Sequence, residues 1–264
     1  MDDQWQNFLR NLGEWHGTFT GLNRSGEELE STASILTLEQ GDEERLVHFR
    51  LRRYGPEGRS GEPLRDNRED YRSLGRQVVF FSTGTFCKGS LQVSPGTVFG
   101  GEFGFVAGDR RHRLVQLHTS AGAFDGLVLI REVRAGTVAP EQPPLQPEQL
   151  LGAWRGEAET ISADWPVPDR AEATLQVNRD GAGGLQMHRR IGTTSEDLCD
   201  ETGSQLLCLP DAGYHRTPLQ VRHRLAFAVE AGWLPEPGRL ECLIRRFDGT
   251  GAWHSSTLLR LTAA

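Results

Sequence analysis

Two histidine–arginine pairs recur in this chain, His48-x-Arg50 and His188-Arg-Arg190. Imidazolium and guanidinium groups on one face of a strand can hold carboxylates, the guanidinium through a planar fork of donors. Facing outward instead, the same residues make a solvated sheet face. Two carboxylates recur as well. Glu102 and Glu230 each stand in a Phe-x-x-Glu-x-Gly-aromatic frame, Phe99 to Phe105 and Phe227 to Trp233. A carboxylate present in both frames either orients a ligand from inside a fold or is salt-bridged to a neighbouring arginine. Trp165 opens the run Trp165-Pro-Val-Pro168, an aromatic held by prolines that would lid a pocket or pack on a surface. The runs Arg110-Arg-His-Arg113 and Arg222-His-Arg224 read as surface charge.

No reaction follows from these residues. The chain has no Gly-x-Ser-x-Gly, no P-loop, no His-Glu-x-x-His and no Cys-x-x-Cys, and no nucleophile stands beside an identifiable base. Cys87, Cys199, Cys208 and Cys242 divide one to three between the halves, so they read as free thiols rather than a disulfide framework. Cys87 precedes Lys88, the only lysine, but adjacent strand residues point to opposite faces, so an ordinary buried thiol is expected. No metal site and no cofactor is expected. A net charge of −7 argues against nucleic acid as partner, since phosphate binding needs clustered positive potential. The start Met-Asp-Asp-Gln-Trp lacks a basic stretch followed by an apolar one, and no apolar run reaches about 18 residues. A cytoplasmic protein without a membrane span is the expectation.

The elements that would position these groups come in two copies. Leu12-Gly13-Glu14-Trp15-His16-Gly17 returns as Leu151-Gly152-Ala153-Trp154-Arg155-Gly156. A shift of 128 superimposes Leu91-Gln92-Val93 on Leu219-Gln220-Val221, and the two Glu frames on each other. A shift of 129 puts Val115 on Ile244 and Arg131 on Arg260. The order is kept from end to end, so one fold is duplicated and fused. The segment 135–147 carries four prolines and no apolar period, which marks a linker. Two domains are expected, 1–138 and 139–264.

Trp5, Phe8, Leu9 and Leu12 form one helical stripe, with Asp2 or Asp3 as cap and Gly13 as stop. The second copy offers only a helical turn with Gln146 as cap and Pro147 in its first position. The rest reads as short strands, among them 18–22, 33–38, 46–52, 77–82, 90–93, 113–118 and 126–133. Turn residues separate them, including Asn178-Arg-Asp-Gly181 in the second copy. The glycine-rich stretch 55–63 reads as a mobile loop. One N-terminal helix followed by antiparallel strands predicts an all-β fold of two tandem lipocalin-like up-and-down barrels. First and last strands then become neighbours, and Arg131 and Arg260 are expected to lie across Trp15 and Trp154 as cation–π closures.

The run Gln4 to Gly17, together with Tyr71-Arg-Ser-Leu-Gly75, Gly89-Ser-Leu-Gln92, Phe99 to Gly104 and Leu129-Ile-Arg-Glu132, resembles the DUF3598 proteins of cyanobacteria and plastids. So do Gln149 to Ala158, Leu209-Pro-Asp-Ala-Gly213 and Glu230-Ala-Gly-Trp-Leu234. The resemblance spans nearly the whole chain. It implies tandem calycin barrels in a photosynthetic organism and no established activity. The first expectation is a binding protein for a small apolar or amphipathic molecule, with a tetrapyrrole or bilin as first candidate. His48, Arg50, Glu102, Trp165, His188, Arg190 and Glu230 would be its ligand contacts. Two alternatives stand beside it. One is a chromophore lyase or isomerase that serves a pigment-binding protein. The other is a non-catalytic assembly partner whose barrels are packed shut.

Overall fold

The computed structural model describes residues 4–165, 167–179, 181, 183–198 and 203–264. Asp2, Asp3, Pro166, Asp180 and Cys199 lie outside the described residues.

The fold is all-β apart from one short N-terminal helix, α1 (Gln4–Leu9), and brief single turns. Trp5 and Phe8 are its buried stripe, and Gln4 locks it in place by exchanging two hydrogen bonds of 2.7 Å with the backbone of Phe80. The first nine strands are β1 (Gly13–Leu22), β2 (Glu28–Gln40), β3 (Val47–Tyr54), β4 (Pro63–Tyr71) and β5 (Val78–Phe80), then β6 (Phe86–Gly89), β7 (Phe99–Ala107), β8 (Arg110–His118) and β9 (Phe124–Arg134). A turn at Pro147–Leu150, with Gln146 at its cap, precedes the second nine. These are β10 (Gly152–Ser162), β11 (Asp169–Arg179), β12 (Leu185–Ile191), β13 (Thr194–Leu198) and β14 (Ser204–Leu209), then β15 (Gly213–Pro218), β16 (Phe227–Glu236), β17 (Arg239–Phe247) and β18 (Trp253–Ala263).

Each set makes one curled antiparallel sheet. The orders are β4-β3-β2-β1-β9-β8-β7-β6-β5 and β13-β12-β11-β10-β18-β17-β16-β15-β14. The second is the first advanced by nine strands, so the duplication extends to topology. Every neighbour in sequence is a neighbour in space except across one break, and the first and last strands pair. The meander is thus joined at the seam expected to close it, and its free edges lie between β4 and β5 and between β13 and β14.

The seam explains the Gly-x-Trp-x-Gly pattern. Gly13 and Gly152 take positive φ values of 124° and 110°, which L side chains rarely adopt. Gly17 and Gly156 serve another purpose. A Cβ there would overlap the carbonyl oxygens of Arg131 and Arg260 on the partner strand.

The chain forms two compact units. Unit 1 comprises Met1–Gly89, Gly101–Gln116 and Gly126–Glu141; unit 2 comprises Ser90–Gly100, Leu117–Asp125 and Gln142–Ala264. Two short segments that precede the linker in sequence therefore belong to the second unit. Within it Phe99 meets Phe227 and Phe247 edge-on, and Phe124 stacks on His215. The expected strand 90–93 is instead a single bridge from Gln92 to Ala252. The stretch 55–63 contains a 3-10 turn, Gly58–Ser60, whose Arg59 donates to the carbonyls of Gly17 and Ser34. β4 was not foreseen, because its residues are exposed along nearly its whole length and show no apolar alternation.

Candidate functional site

The core of unit 1 gathers Trp5, Phe8, Trp15, Leu36, Leu38, Val47, Phe80 and Phe86. Against it lies a cavity of about 100 Å³, with Leu36, Leu38, Phe49, Phe80 and Phe86 on its walls and Lys88, Glu102, Arg111 and Arg113 at one end. Tyr71, Leu74 and Val78 also border it. These three lie at the end of β4, in the connection and at the start of β5, which places the cavity beside the unpaired break in the sheet.

The charged end is a continuous chain of ion pairs. Lys88 Nζ lies 3.0 Å from Glu102, and Arg113 donates to Glu102 at 2.6 Å and to Glu132 at 2.9 and 3.0 Å. Arg111 Nε donates to Glu132 at 2.7 Å. Burial alone would raise the Glu102 carboxyl, but Lys88 and Arg113 bring it down to about 2. Burial lowers the Arg111 guanidinium from its ordinary value, against the pull of Glu132 and with the push of Arg113. Arg113 also starts from a burial penalty, yet two carboxylates raise it. Arg111 is therefore the less compensated of the two. Its Nη2 is buried and has no hydrogen-bond partner, and the same holds for the Oδ1 of Asn11, another lining residue.

These arginines correct the reading of 110–113 as surface charge. Arg111, His112 and Arg113 are all buried. The run looked solvated because its charges occupy an inward face that composition alone assigns to apolar residues.

In unit 2 the equivalent carboxylate, Glu230, has other partners. Arg189 Nη1 donates to it at 2.7 Å and the Tyr214 hydroxyl at 2.6 Å. Arg189 is shared with Glu196, which also binds Arg246. Burial would raise Glu196, but Arg246 and Arg189 hold it at about 2. Leu36 pairs with Leu51 where Leu175 pairs with Arg189, so Arg189 stands at the place of Leu51. The shift of 129 sets Cys242 at the place of Arg113, Leu240 at that of Arg111 and Leu261 at that of Glu132. All three are fully buried. The same carboxylate thus takes its arginine from β8 in one copy and from β12 in the other. A hollow of about 430 Å³ in unit 2 is bordered by Arg189, Glu196, Arg246, Phe227 and Phe247. Its charges are largely paired with one another.

The remaining candidates lie apart from these interiors. His48 Nδ1 donates to Asp70 at 2.7 Å, and Arg50 grips Asp66 with two bonds of 2.8 Å. His188 meets Asp197 at 2.7 Å in the same manner as His48, and Arg190 is exposed opposite Ser195. These four alternate with the buried residues of β3 and β12 and stand on the outer face. Trp165 is 62% exposed.

The closure pairs are placed differently from expectation. Trp15 is covered by Arg134 at 4.3 Å and Arg111 at 4.6 Å, not by Arg131. Arg131 pairs in register with Thr18, three residues from Trp15 and therefore on the other face of the sheet, where it bonds Thr20 and Glu141. Arg260 likewise opposes Glu157 and reaches its carboxylate at 3.3 Å, while Trp154 opposes Ala263. Both indoles donate to a carbonyl four residues back, Trp15 to Asn11 and Trp154 to Leu150. No group of three or more His, Cys, Asp or Glu suited to a metal ion occurs among the described residues, and no helix there is long and apolar enough to cross a membrane.

Comparisons with known proteins match the two sequence halves separately. The family described as "Domain of unknown function (DUF3598), N-terminal" matches residues 1–137. The family described as "Biogenesis factor required for ATP synthase 1, C-terminal domain" matches residues 141–262. A DUF3598 protein of unknown function from Nostoc punctiforme is 36% identical, with a TM-score of 0.91 and full coverage of both chains. A putative outer membrane protein from Bacteroides fragilis is 8% identical over 98% of this chain and 99% of its own, with a TM-score of 0.29. No curated protein matches. The chain belongs to the DUF3598 family.

Proposed function

We propose that the chain is a non-catalytic assembly partner of a multisubunit complex, with the ATP synthase as the complex to test first. The observation that carries this reading is how little room the interior of unit 1 leaves. Pockets for cofactors and drug-sized ligands span roughly 300–1,000 Å³. The interior cavity of unit 1 measures about 100 Å³, too little for a tetrapyrrole. The core of unit 2 is filled by its own Trp154, Met187, Tyr214, Leu240 and Cys242. The wider hollow in that unit sets the ion pairs of Arg189, Glu196 and Arg246 beside apolar residues that include Leu198, Val221, Phe227 and Phe247. A packed barrel offers its outer surface, and the outer face here is densely charged. The match of residues 141–262 to the C-terminal domain of an ATP synthase biogenesis factor supports the same reading.

The test is genetic and biochemical. Removing the protein from its host should lower the amount of assembled ATP synthase several-fold while the separate subunits persist, and subunits produced together with this chain should co-elute with it. Unchanged assembly and no co-elution would reject the proposal. Stoichiometric visible absorbance after production with tetrapyrroles would instead restore the ligand-carrier reading.

A further inference from the structure

We propose that the cavity of unit 1 is a binding site for a short-chain monocarboxylate. Three observations converge on this class of ligand.

The first is charge. Among the described residues Lys88, Arg111 and Arg113 are ion-paired with Glu102 and Glu132, three cations to two carboxylates, leaving one positive charge in excess in this cluster. Arg111 is the member that carries the excess. It spends its Nε on Glu132, and its Nη2 is buried without a hydrogen-bond partner although the residue lines the cavity. A buried donor left unpaired is costly, and a carboxylate is the acceptor that best matches a guanidinium edge. Asn11 Oδ1, equally without a partner, gives a ligand hydroxyl or a bridging water a place to donate.

The second is size and wall. A cavity of about 100 Å³ with Leu36, Leu38, Phe49, Phe80 and Phe86 around it takes an apolar tail of only a few carbons. For scale, an apolar cavity of about 150 Å³ accepts a benzene-sized molecule. A molecule of about four to six non-hydrogen atoms fits, and a fatty acid does not. The cavity lies beside the break between β4 and β5, where no ladder of backbone bonds bars access.

The third is the internal control. At the places of Arg111 and Glu132 the second copy carries Leu240 and Leu261, and it packs shut around them. The fold therefore has no need of ions at these positions. Replacing buried ion pairs with apolar residues is often neutral or stabilising, so a buried pair beside a cavity is not explained by stability.

The experiment titrates the isolated full chain, so its outcome is independent of any assembly partner. Butyrate is the probe, butyramide its neutral counterpart and octanoate the long one. The readout is the indole N–H resonance of Trp15, which donates to Asn11 at the cavity wall, together with the melting temperature. Butyrate should shift the resonance saturably and raise the melting temperature. Butyramide should bind at least about tenfold more weakly, as expected when a charged hydrogen-bond partner is lost, and octanoate should bind no better than butyrate. The double variant Arg111→Leu with Glu132→Leu copies the second half of the chain. It should stay folded and lose butyrate binding by the same factor or more. No saturable shift with butyrate, equal affinity for butyramide, or undiminished binding in a folded double variant would each overturn the proposal. If the double variant does not fold, the acid-against-amide comparison on the unaltered chain decides.

Discussion

His215 shows how much one buried side chain can set. It is fully buried, stacks on Phe124 and lies near His118, and burial pushes its imidazole down to about 3. The unfolded chain would take up that proton below about 6.5. The stability gained by keeping the ring neutral is therefore complete above 6.5 and is lost as pH falls towards 3. Glu102 acts in the same direction lower down, with its share complete above 4.5 and lost as pH falls to about 2. Urea unfolding at pH 7, 6 and 5 should show stability falling with a slope of up to about 1.4 kcal/mol per pH unit from His215. His215→Phe should flatten that limb, and an unaltered slope would contradict the assignment. Individual residues were only partly legible in the sequence. The repeat pointed to Glu102 and Glu230, and the structure buries both. It could not point to Arg111, Arg113 or Arg189, because a charged residue on an inward face looks the same in sequence as one on an outward face. The sequence offers Arg131 as the cation over Trp15 because it sits near the end of its copy. The register shows that three further residues were needed, which brings Arg134 onto the indole.

Elements were read better than residues, and for a physical reason. Strands with one face in a core must alternate, and turns must carry glycine, asparagine or proline, so β1, β2, β3, β8 and β9 left a pattern. β4 left none. Pro63–Tyr71 is an edge strand exposed on both faces and filled with Arg65, Asp66, Arg68, Glu69 and Asp70, the composition that keeps free edges from recruiting other chains. The paired seam makes a sharper demand. At Gly17 the first strand passes so close to the Arg131 carbonyl that no side chain fits between them, and Gly156 repeats this against Arg260. Gly17→Ala should cost about 1–3 kcal/mol through overpacking and loss of local β1–β9 pairing, read as lower denaturant midpoint and faster amide exchange in both strands. A variant with unchanged midpoint and exchange would show that the seam tolerates a methyl group.

At the scale of the whole molecule, the two sequence copies and the two compact units do not share a boundary. Residues 90–100 and 117–125 come before the linker and yet belong to the second unit. Phe99 packs on Phe227 and Phe247, Ser90 accepts from Arg245, and the bridge from Ala123 to Gln220 ties the second segment down. Cutting the gene at the linker thus leaves 1–138 with apolar side chains whose partners are gone. Fragment 1–138 should express poorly or aggregate, whereas full-length protein cleaved in the linker after folding should stay associated. A soluble fragment with a sharp unfolding transition of its own would overturn this. The repeat gave no hint of the exchange, since it records the order of residues along the chain and not which half buries them.

The exchange of counter-ions between copies has a historical meaning. One half neutralises its carboxylate with Arg113 where the other has Cys242, and the other uses Arg189 where the first has Leu51. Reverting either half towards its sibling takes two changes. A lone gain crowds a further cation into a dry interior, and a lone loss takes from the carboxylate its buried arginine, leaving Glu102 with the more exposed Lys88. Each intermediate is handicapped, so the twins diverge as through a ratchet, and descendants of the fusion are held to unequal halves.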